Sequence, residues 1–343
     1  MGLHTTSAEI TGEINMLKIL FLTEKGDNIV AEPSNYYGLE QEIAKIVDCE
    51  FAGVGWEDHR DGETIDETVH RLYGTHSPDW VIDRDNNLEE FRGHARSYRI
   101  GLFISDLHGK HHYNLDALQY YQALSKSGYD ALFMRYTHLK TTDVRRRIKV
   151  PTHFVPWSVD TNTFYTREKT VDVTFCGAVD PTVYPLRTKI YQELPHIIKN
   201  NPIKTSVSYI SKTIPQGFYG STISQWKGVK NVYVGEAYAD LLGRSLISIF
   251  DCSIYRYPIL KYFESMASGC CVLADTPACC IELGMYKKFY PIDYKDWIEP
   301  LYYYLDSPNK AKRMGHKASN FIREKHSHRV RADEFVRLLK KIG

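Results

Sequence analysis

The stretch Y-R-Y-P-I-L-K-Y-F-E-S-M-A-S-G-C-C-V-L-A (255–274) sets two charged side chains, Lys261 and Glu264, among residues suited to a buried helix and strand. Tyr262, Phe263, Met266 and Ala267 recur at helical spacing, Gly269 suits a helix stop, and Cys270 to Ala274 read as a buried strand. Pro258 suits the first turn of that helix, which would leave the free backbone N–H groups within 258–261, those of 259–261, pointing outward at its positive end. Such an end is a phosphate cradle, and Lys261 adds a full charge beside it. Glu264, one turn further along the same face, could accept two hydrogen bonds from a sugar diol such as a ribose. The same spacing also fits an ordinary Lys–Glu ion pair worth about 0.2–0.5 kcal/mol.

A second constellation is S-D-L-H-G-K-H-H-Y-N (105–114), a glycine-containing loop after an apolar run. A histidine there, His108 first among them, could accept a hydroxyl proton near neutral pH, with Asp106 to orient it. His111 and His112 extend the cluster, which equally suits acceptor positioning or a solvated polar loop. Asp83-Arg84-Asp85 is a D-x-D at a strand end, able to hold a divalent cation or to serve as a turn and helix cap. The cap is the preferred reading, and no metal site is expected. The seven cysteines include the adjacent pairs Cys270-Cys271 and Cys279-Cys280. Neighbours in a strand point to opposite faces, so Cys270 and Cys271 suit small buried positions better than one zinc site. Gly53-Val54-Gly55 lacks the third glycine of a dinucleotide fingerprint and reads as a turn, and Arg145-Arg146-Arg147-Ile148-Lys149 could contact phosphates of a nucleic acid acceptor but reads first as a solvated helix end.

These residues need a scaffold, and the chain offers one in alternating runs. L-K-I-L-F-L (17–22), W-V-I-D (80–83), R-I-G-L-F-I-S-D (99–106), A-L-F-M-R-Y (131–136) and T-H-F-V-P (152–156) read as strands, with helical patterns near 36–47, 87–97 and 115–124. The rhythm restarts at V-D-V-T-F-C-G-A (171–178) and continues through T-S-V-S-Y-I, N-V-Y-V-G, L-I-S-I-F and C-C-V-L-A-D. Strand and helix in this order argue for two parallel sheets with helices on both faces. A length of 343 residues suits two such domains. V-P-W-S-V-D-T-N-T-F-Y-T-R-E-K-T, turn-rich and aperiodic, is the linker. The division is residues 16–155, a first Rossmann-like domain; 156–320, a second; and 321–343, a helix able to pack back on the first. Residues 1–15 are polar and patternless and read as an extension or tag. Ligands of such sheets sit beyond the carboxyl ends of the strands, so facing strand ends imply an interdomain cleft.

Composition narrows the partners. With 43 basic and 42 acidic residues the chain has no global field to draw in polyanions, so any anion site must be local. No run reaches the roughly 18 apolar residues that cross a bilayer, and the expectation is a cytoplasmic protein. Neither a P-loop nor a G-x-S-x-G elbow is present in the sequence.

K-x-F-E-x-x-A-S-G-x-x-V-L, preceded by Y-A-D-L-L-G-R-S-L-I-S-I-F and V-D-V-T-F-C-G-A-V-D-P-T-V-Y-P-L-R, resembles the C-terminal domain of GT-B glycosyltransferases. The likeness is to the CgeB-like group related to glycosyltransferase family 4, and V-P-W-S-V-D-T-N-T-F resembles that family's entry into the second lobe. The resemblance implies an α/β GT-B fold with two Rossmann-like domains facing across a cleft, donor in the second and acceptor in the first. It implies that Glu264 binds the ribose of a nucleotide-sugar donor, a UDP-sugar, and that Gly177 lies at the diphosphate. Lys261 and Arg187 would offset the diphosphate charge, with Arg256 as a further candidate, and Tyr233 and Gly235 would border the nucleobase. Family 4 usually carries a second glutamate eight positions before Glu264, where this chain has Arg256. The donor sugar and the stereochemistry therefore stay open. Transfer of this kind needs no metal and no other cofactor. The acceptor is open among a polysaccharide, a protein, a small glycoside and a modified nucleic acid base. A GT-B-like sugar-nucleotide epimerase and a non-catalytic nucleotide-sugar or glycan-binding module are the alternatives.

Overall fold

The computed structural model describes residues 16–23, 33–84, 96–104, 117–136, 148–177, 179–200, 208–212, 233 and 235–343. The first domain holds β1 (Lys18–Leu22), α1 (Pro33–Ala44), β2 (Asp48–Ala52), α2 (Ile65–Tyr73), β3 (Trp80–Asp83), β4 (Arg99–Ile104), α3 (Ala117–Lys126), β5 (Ala131–Met134) and β6 (Thr152–Phe154). The six strands among its described residues pair in parallel in the order β2-β1-β3-β4-β5-β6. Side chains alternate across this sheet, as the strand period requires. Ile19, Phe21, Trp80, Ile82, Phe103 and Phe133 fill one face. Leu20, Val81, Ile100, Leu102 and Leu132 fill the other. Both faces are covered, which explains runs as uniformly apolar as W-V-I and R-I-G-L-F-I.

The second domain holds β7 (Val171–Cys176), α4 (Pro185–Lys199), β8 (Tyr209–Lys212), α5 (Gly235–Arg244), β9 (Ser245–Phe250), α6 (Leu260–Ala267), β10 (Cys271–Ala274), β11 (Tyr290–Pro291), α7 (Ile298–Asp306) and α8 (Pro308–Lys325). The five strands among its described residues are also parallel, in the order β11-β10-β9-β7-β8. The two Rossmann-like parallel sheets expected from the strand and helix rhythm are the sheets observed. Adjacent cysteines do face opposite ways: Cys270 Sγ lies 3.1 Å from the Leu242 carbonyl and Cys271 Sγ 3.5 Å from Met314 Sδ, in two separate apolar clusters.

Residues 308–342, charged and helical in pattern from end to end, form two helices. The break falls at His326 and Ser327, where Ser327 accepts from Val330 N–H and caps α9 (His328–Ile342). The break lets the chain cross between domains beside its own linker. Val159 N–H donates to His326 O and His328 N–H donates to Val159 O, both at 3.0 Å. Helix α9 then packs on α1 and on the first sheet, where Phe335 meets Phe103 and Phe133 at 5.2 and 4.9 Å between ring centroids. Arg99 grips its end through the carbonyls of Ile342 and Gly343. One apolar cluster runs through both domains, joining Leu102 and Leu132 to Phe250 and Phe263 by way of Trp157, Val159 and Phe164. The helical pattern near 87–97 falls almost entirely outside the described residues. No helix among the described residues is long and apolar enough to cross a membrane.

Candidate functional site at the strand ends of the second domain

In both sheets the strand order reverses between the first and third strands, and a ligand crevice opens at such a switch point beyond the carboxyl ends. In the second sheet those ends are Gly177 after β7 and Asp251 after β9. Gly177 has φ 143°, and a Cβ there would lie 3.0 Å from Arg187 Nη1 and 3.1 Å from Lys261 Cε. The missing side chain lets two cationic side chains close on one stretch of backbone. Sequence positions 177, 187 and 261 therefore converge on one point.

Arg187 stands in the first turn of α4, which Pro185 opens. It is 2% exposed and held by Asp251. Its Nε lies 3.0 Å from Asp251 Oδ1, its backbone N–H donates to Oδ2 at 3.0 Å, and Nη2 donates to the Asp251 carbonyl at 2.7 Å. The Tyr184 ring covers the guanidinium at 3.8 Å. Burial pushes the Asp251 carboxyl up, and Arg187 beside it opposes the rise. Asp251 belongs to no motif; its one signal in the sequence is a carboxylate closing the apolar run L-I-S-I-F-D.

Lys261 and Glu264 ride on α6, whose first helical residue is Leu260, two positions later than Pro258 suggests. Pro258 instead precedes Ile259, the N-cap, which is extended and makes no side-chain cap. Ile259 N–H donates to Tyr257 O and Tyr262 N–H to Ile259 O. The cradle, three N–H groups because Pro258 carries none, thus narrows to those of Leu260 and Lys261. Every residue from Tyr262 to Ala267 is buried. The helix is clamped at its far end by Lys169 Nζ on the Ser268 carbonyl at 2.9 Å and Ser319 Oγ on the Ala267 carbonyl at 2.8 Å. Lys169 also meets the Gly243 carbonyl at 2.8 Å, so one ammonium caps both α5 and α6. Burial lowers its pKa.

Glu264 is 1% exposed, and Tyr238 Oη donates to its Oε2 at 3.4 Å. Lys261 is half-buried, its Nζ 5.9 Å from the Tyr238 ring centroid. Tyr238 thus touches both members of the pair from α5, a role the sequence reading missed although the residue lies one turn into the helix that Gly235 opens. Gly235 has φ 54°, and nothing lies within 4 Å of where its Cβ would stand. Tyr233 is half-buried against the core cluster shared by both domains. Arg256 is exposed, with φ 55°, and its Nη2 and Nε donate to the Thr276 carbonyl at 3.0 and 3.3 Å. The Arg256 guanidinium is tied to the loop after β10.

Asp106, His108, His111 and His112 lie outside the described residues, as do Asp85 and the 145–147 arginines. Asp83 is fully buried and accepts from Tyr129 Oη at 2.5 Å, while Arg84 pairs with the buried Glu40. No group of three or more His, Cys, Asp or Glu side chains suited to a metal ion occurs among the described residues.

Residues 208–337 match the family described as Glycosyl transferase-like. No curated protein matches the chain. Among solved structures, sucrose-phosphate synthase from Thermosynechococcus elongatus is similar at TM-score 0.63 and 13% identity, over 95% of this chain and 99% of that one. The N-terminal domain of Candida albicans trehalose-6-phosphate phosphatase gives 0.64 and 10%, over 99% of each. Anabaena Alr3699/HepE, solved with UDP and glucose, gives 0.59 and 12%, over 95% of this chain and 100% of that one.

Proposed function

We propose that this chain of GT-B fold is a glycosyltransferase that moves a sugar from a nucleotide-diphosphate sugar, a UDP-sugar, to an acceptor carried by the first domain. The observation that carries the reading is the meeting of Gly177, Arg187 and Lys261 at the switch point of the second sheet, with Glu264 one turn along α6. Departure of the donor diphosphate builds negative charge, and preorganised cations and helix-end N–H groups stabilise it as it forms. Lys261 and the N–H groups of Leu260 and Lys261 supply that field here, and no metal ion is required in this reading. Arg187, already neutralised by Asp251, lines the site and shapes it more than it charges it. Glu264, pre-oriented by Tyr238, accepts the ribose hydroxyls. The similar structure of Alr3699/HepE, solved with UDP and glucose, supports UDP as the nucleotide.

The finer assignment is to the CgeB-like group and to hexosyl or pentosyl transfer, with Asp106 and His108 on the acceptor side. The acceptor is drawn from polysaccharides, proteins, small glycosides and modified nucleic acid bases, and the protein acts in the cytoplasm. Arg256 in the place of the family's glutamate, bound to Thr276, favours one second reading, a module that binds the nucleotide sugar without turning it over. Calorimetry with UDP and a panel of UDP- and GDP-sugars tests the donor reading. Binding that Glu264→Ala weakens supports it; binding unchanged by Glu264→Ala, or absent for every nucleotide, rejects it. Acceptor-dependent UDP release then separates transfer from binding alone and from epimerisation.

A further inference from the structure

Three tyrosine rings span the gap between the domains. Tyr136 follows β5 of the first domain and lies face to face with Tyr257 of the second, centroids 4.0 Å apart and planes within 5°. Tyr255 continues the column 5.7 Å beyond Tyr257. A parallel pair at this separation is a stacked contact, one of the arrangements aromatic rings favour. Tyr136 is braced from behind. Trp157 Nε1 donates to its hydroxyl at 3.1 Å, and Arg135 lies on the Trp157 face at 4.5 Å while donating to the carbonyls of Val155 and Pro156. The first-domain half of the stack is therefore anchored in the linker itself.

Tyr257 belongs to the 252–259 loop, which runs from Asp251, the residue that holds Arg187, to α6, the helix that carries Lys261 and Glu264. That loop contains Ser253 at φ 71° and Arg256 at φ 55°, two of the three non-glycine residues with positive φ among those described. Such conformations persist only where the surroundings over-determine them. The constraints include Tyr257 N–H on Cys252 O, Ile254 N–H on Val183 O, Arg256 N–H on Ser253 O, Cys252 N–H on Asp275 Oδ1, Ala278 N–H on Arg256 O, the Arg256 side chain on Thr276 O, and the Tyr136 ring. Of these, Tyr136 alone comes from the first domain.

We propose that Tyr136 is a positioning residue for the donor site of the other domain: by stacking on Tyr257 it holds the strained loop, and with it the start of α6, where Lys261 and Glu264 meet a nucleotide sugar. The proposal rests on the donor reading above. It makes a change in the first domain, remote in sequence from every donor residue, alter donor binding.

The test uses the full chain with UDP as the probe and two non-aromatic variants, Tyr136→Leu and Tyr136→Met, beside Tyr136→Phe. Amide exchange in peptides covering 252–264 should rise in the non-aromatic variants, and their Kd for UDP should rise about fivefold, the scale of one aromatic pair. Tyr136→Phe keeps the ring and loses the hydroxyl that accepts from Trp157, so it should bind UDP as the wild type does. Rescue by phenylalanine is a result that general loosening of the fold would not give. Unchanged exchange in 252–264, an unchanged UDP Kd in the non-aromatic variants, or a Phe variant as weak as the Leu variant would each overturn the proposal. Wild-type protein that bound neither UDP nor any nucleotide sugar of the panel would overturn the donor reading and the proposal together, before any variant was compared.

Discussion

Acid should loosen the crossing between the domains through one histidine. His326 is 5% exposed at the turn from α8 to α9, where Nε2 donates to the Leu283 carbonyl and Nδ1 accepts from Arg331 Nη2, each at 2.9 Å. Both nitrogens are committed to a neutral ring. Burial, then the charge of Arg331, pushes its pKa down from 6.5 to about 4. At pH 7.5 the ring is neutral whether the chain is folded or not. As pH falls, the unfolded chain takes up a proton near 6.5 while the folded one does so only near 4, so stability is lost across that window and levels off below it. The gap corresponds to about 3 kcal/mol in full, of which about 2 kcal/mol is already lost at pH 5.0. His326→Gln keeps a donor for Leu283 and an acceptor for Arg331 and cannot titrate. Urea unfolding of both proteins at pH 7.5 and 5.0, followed by circular dichroism, cancels the carboxylates they share. The wild type should lose about 2 kcal/mol more than His326→Gln between the two pH values. Equal losses would refute the reasoning.

Further expectations concern the donor site and its supports. Gly177→Ala places a Cβ against Arg187 and Lys261 in a backbone conformation that side chains rarely adopt; it should cost about 1–3 kcal/mol in a melting experiment and weaken UDP binding. Asp251→Ala leaves Arg187 buried without its counter-charge, a loss of about 3–5 kcal/mol by denaturant titration, and the double change Asp251→Leu with Arg187→Met should recover part of it. Lys169→Met uncaps two helices at once, and a destabilisation of about 1–3 kcal/mol with no direct loss of ligand contacts is expected.

What was legible in the sequence were the local regularities. Strand runs such as W-V-I-D and L-I-S-I-F are continuous because both faces are covered, and their alternation with helical patterns is enough to give two parallel sheets. Glu264 stood out because a carboxylate on an otherwise buried helix has to be accounted for. Less legible were pairings between distant segments. Nothing near Arg187 in sequence announces Asp251, 64 positions later, and nothing near Tyr136 announces Tyr257. The start of α6 was misplaced by two residues because proline at a first turn is a preference, and here the backbone turns at Ile259 instead. The break at His326 was invisible for a similar reason: the charge pattern runs on through it, and only the crossing beside Val159 requires it.

That crossing also imposes an order of construction. The helix that completes the first domain is encoded after the whole of the second, so a nascent first sheet must wait, with Phe103 and Phe133 uncovered, until residues 328–342 leave the ribosome. The second domain needs residues only as far as 325, so it can close on its own contacts just before that last helix is made. A gene fragment ending at the linker would carry all six strands and still lack one wall of its own core, and its product should aggregate where the full chain does not.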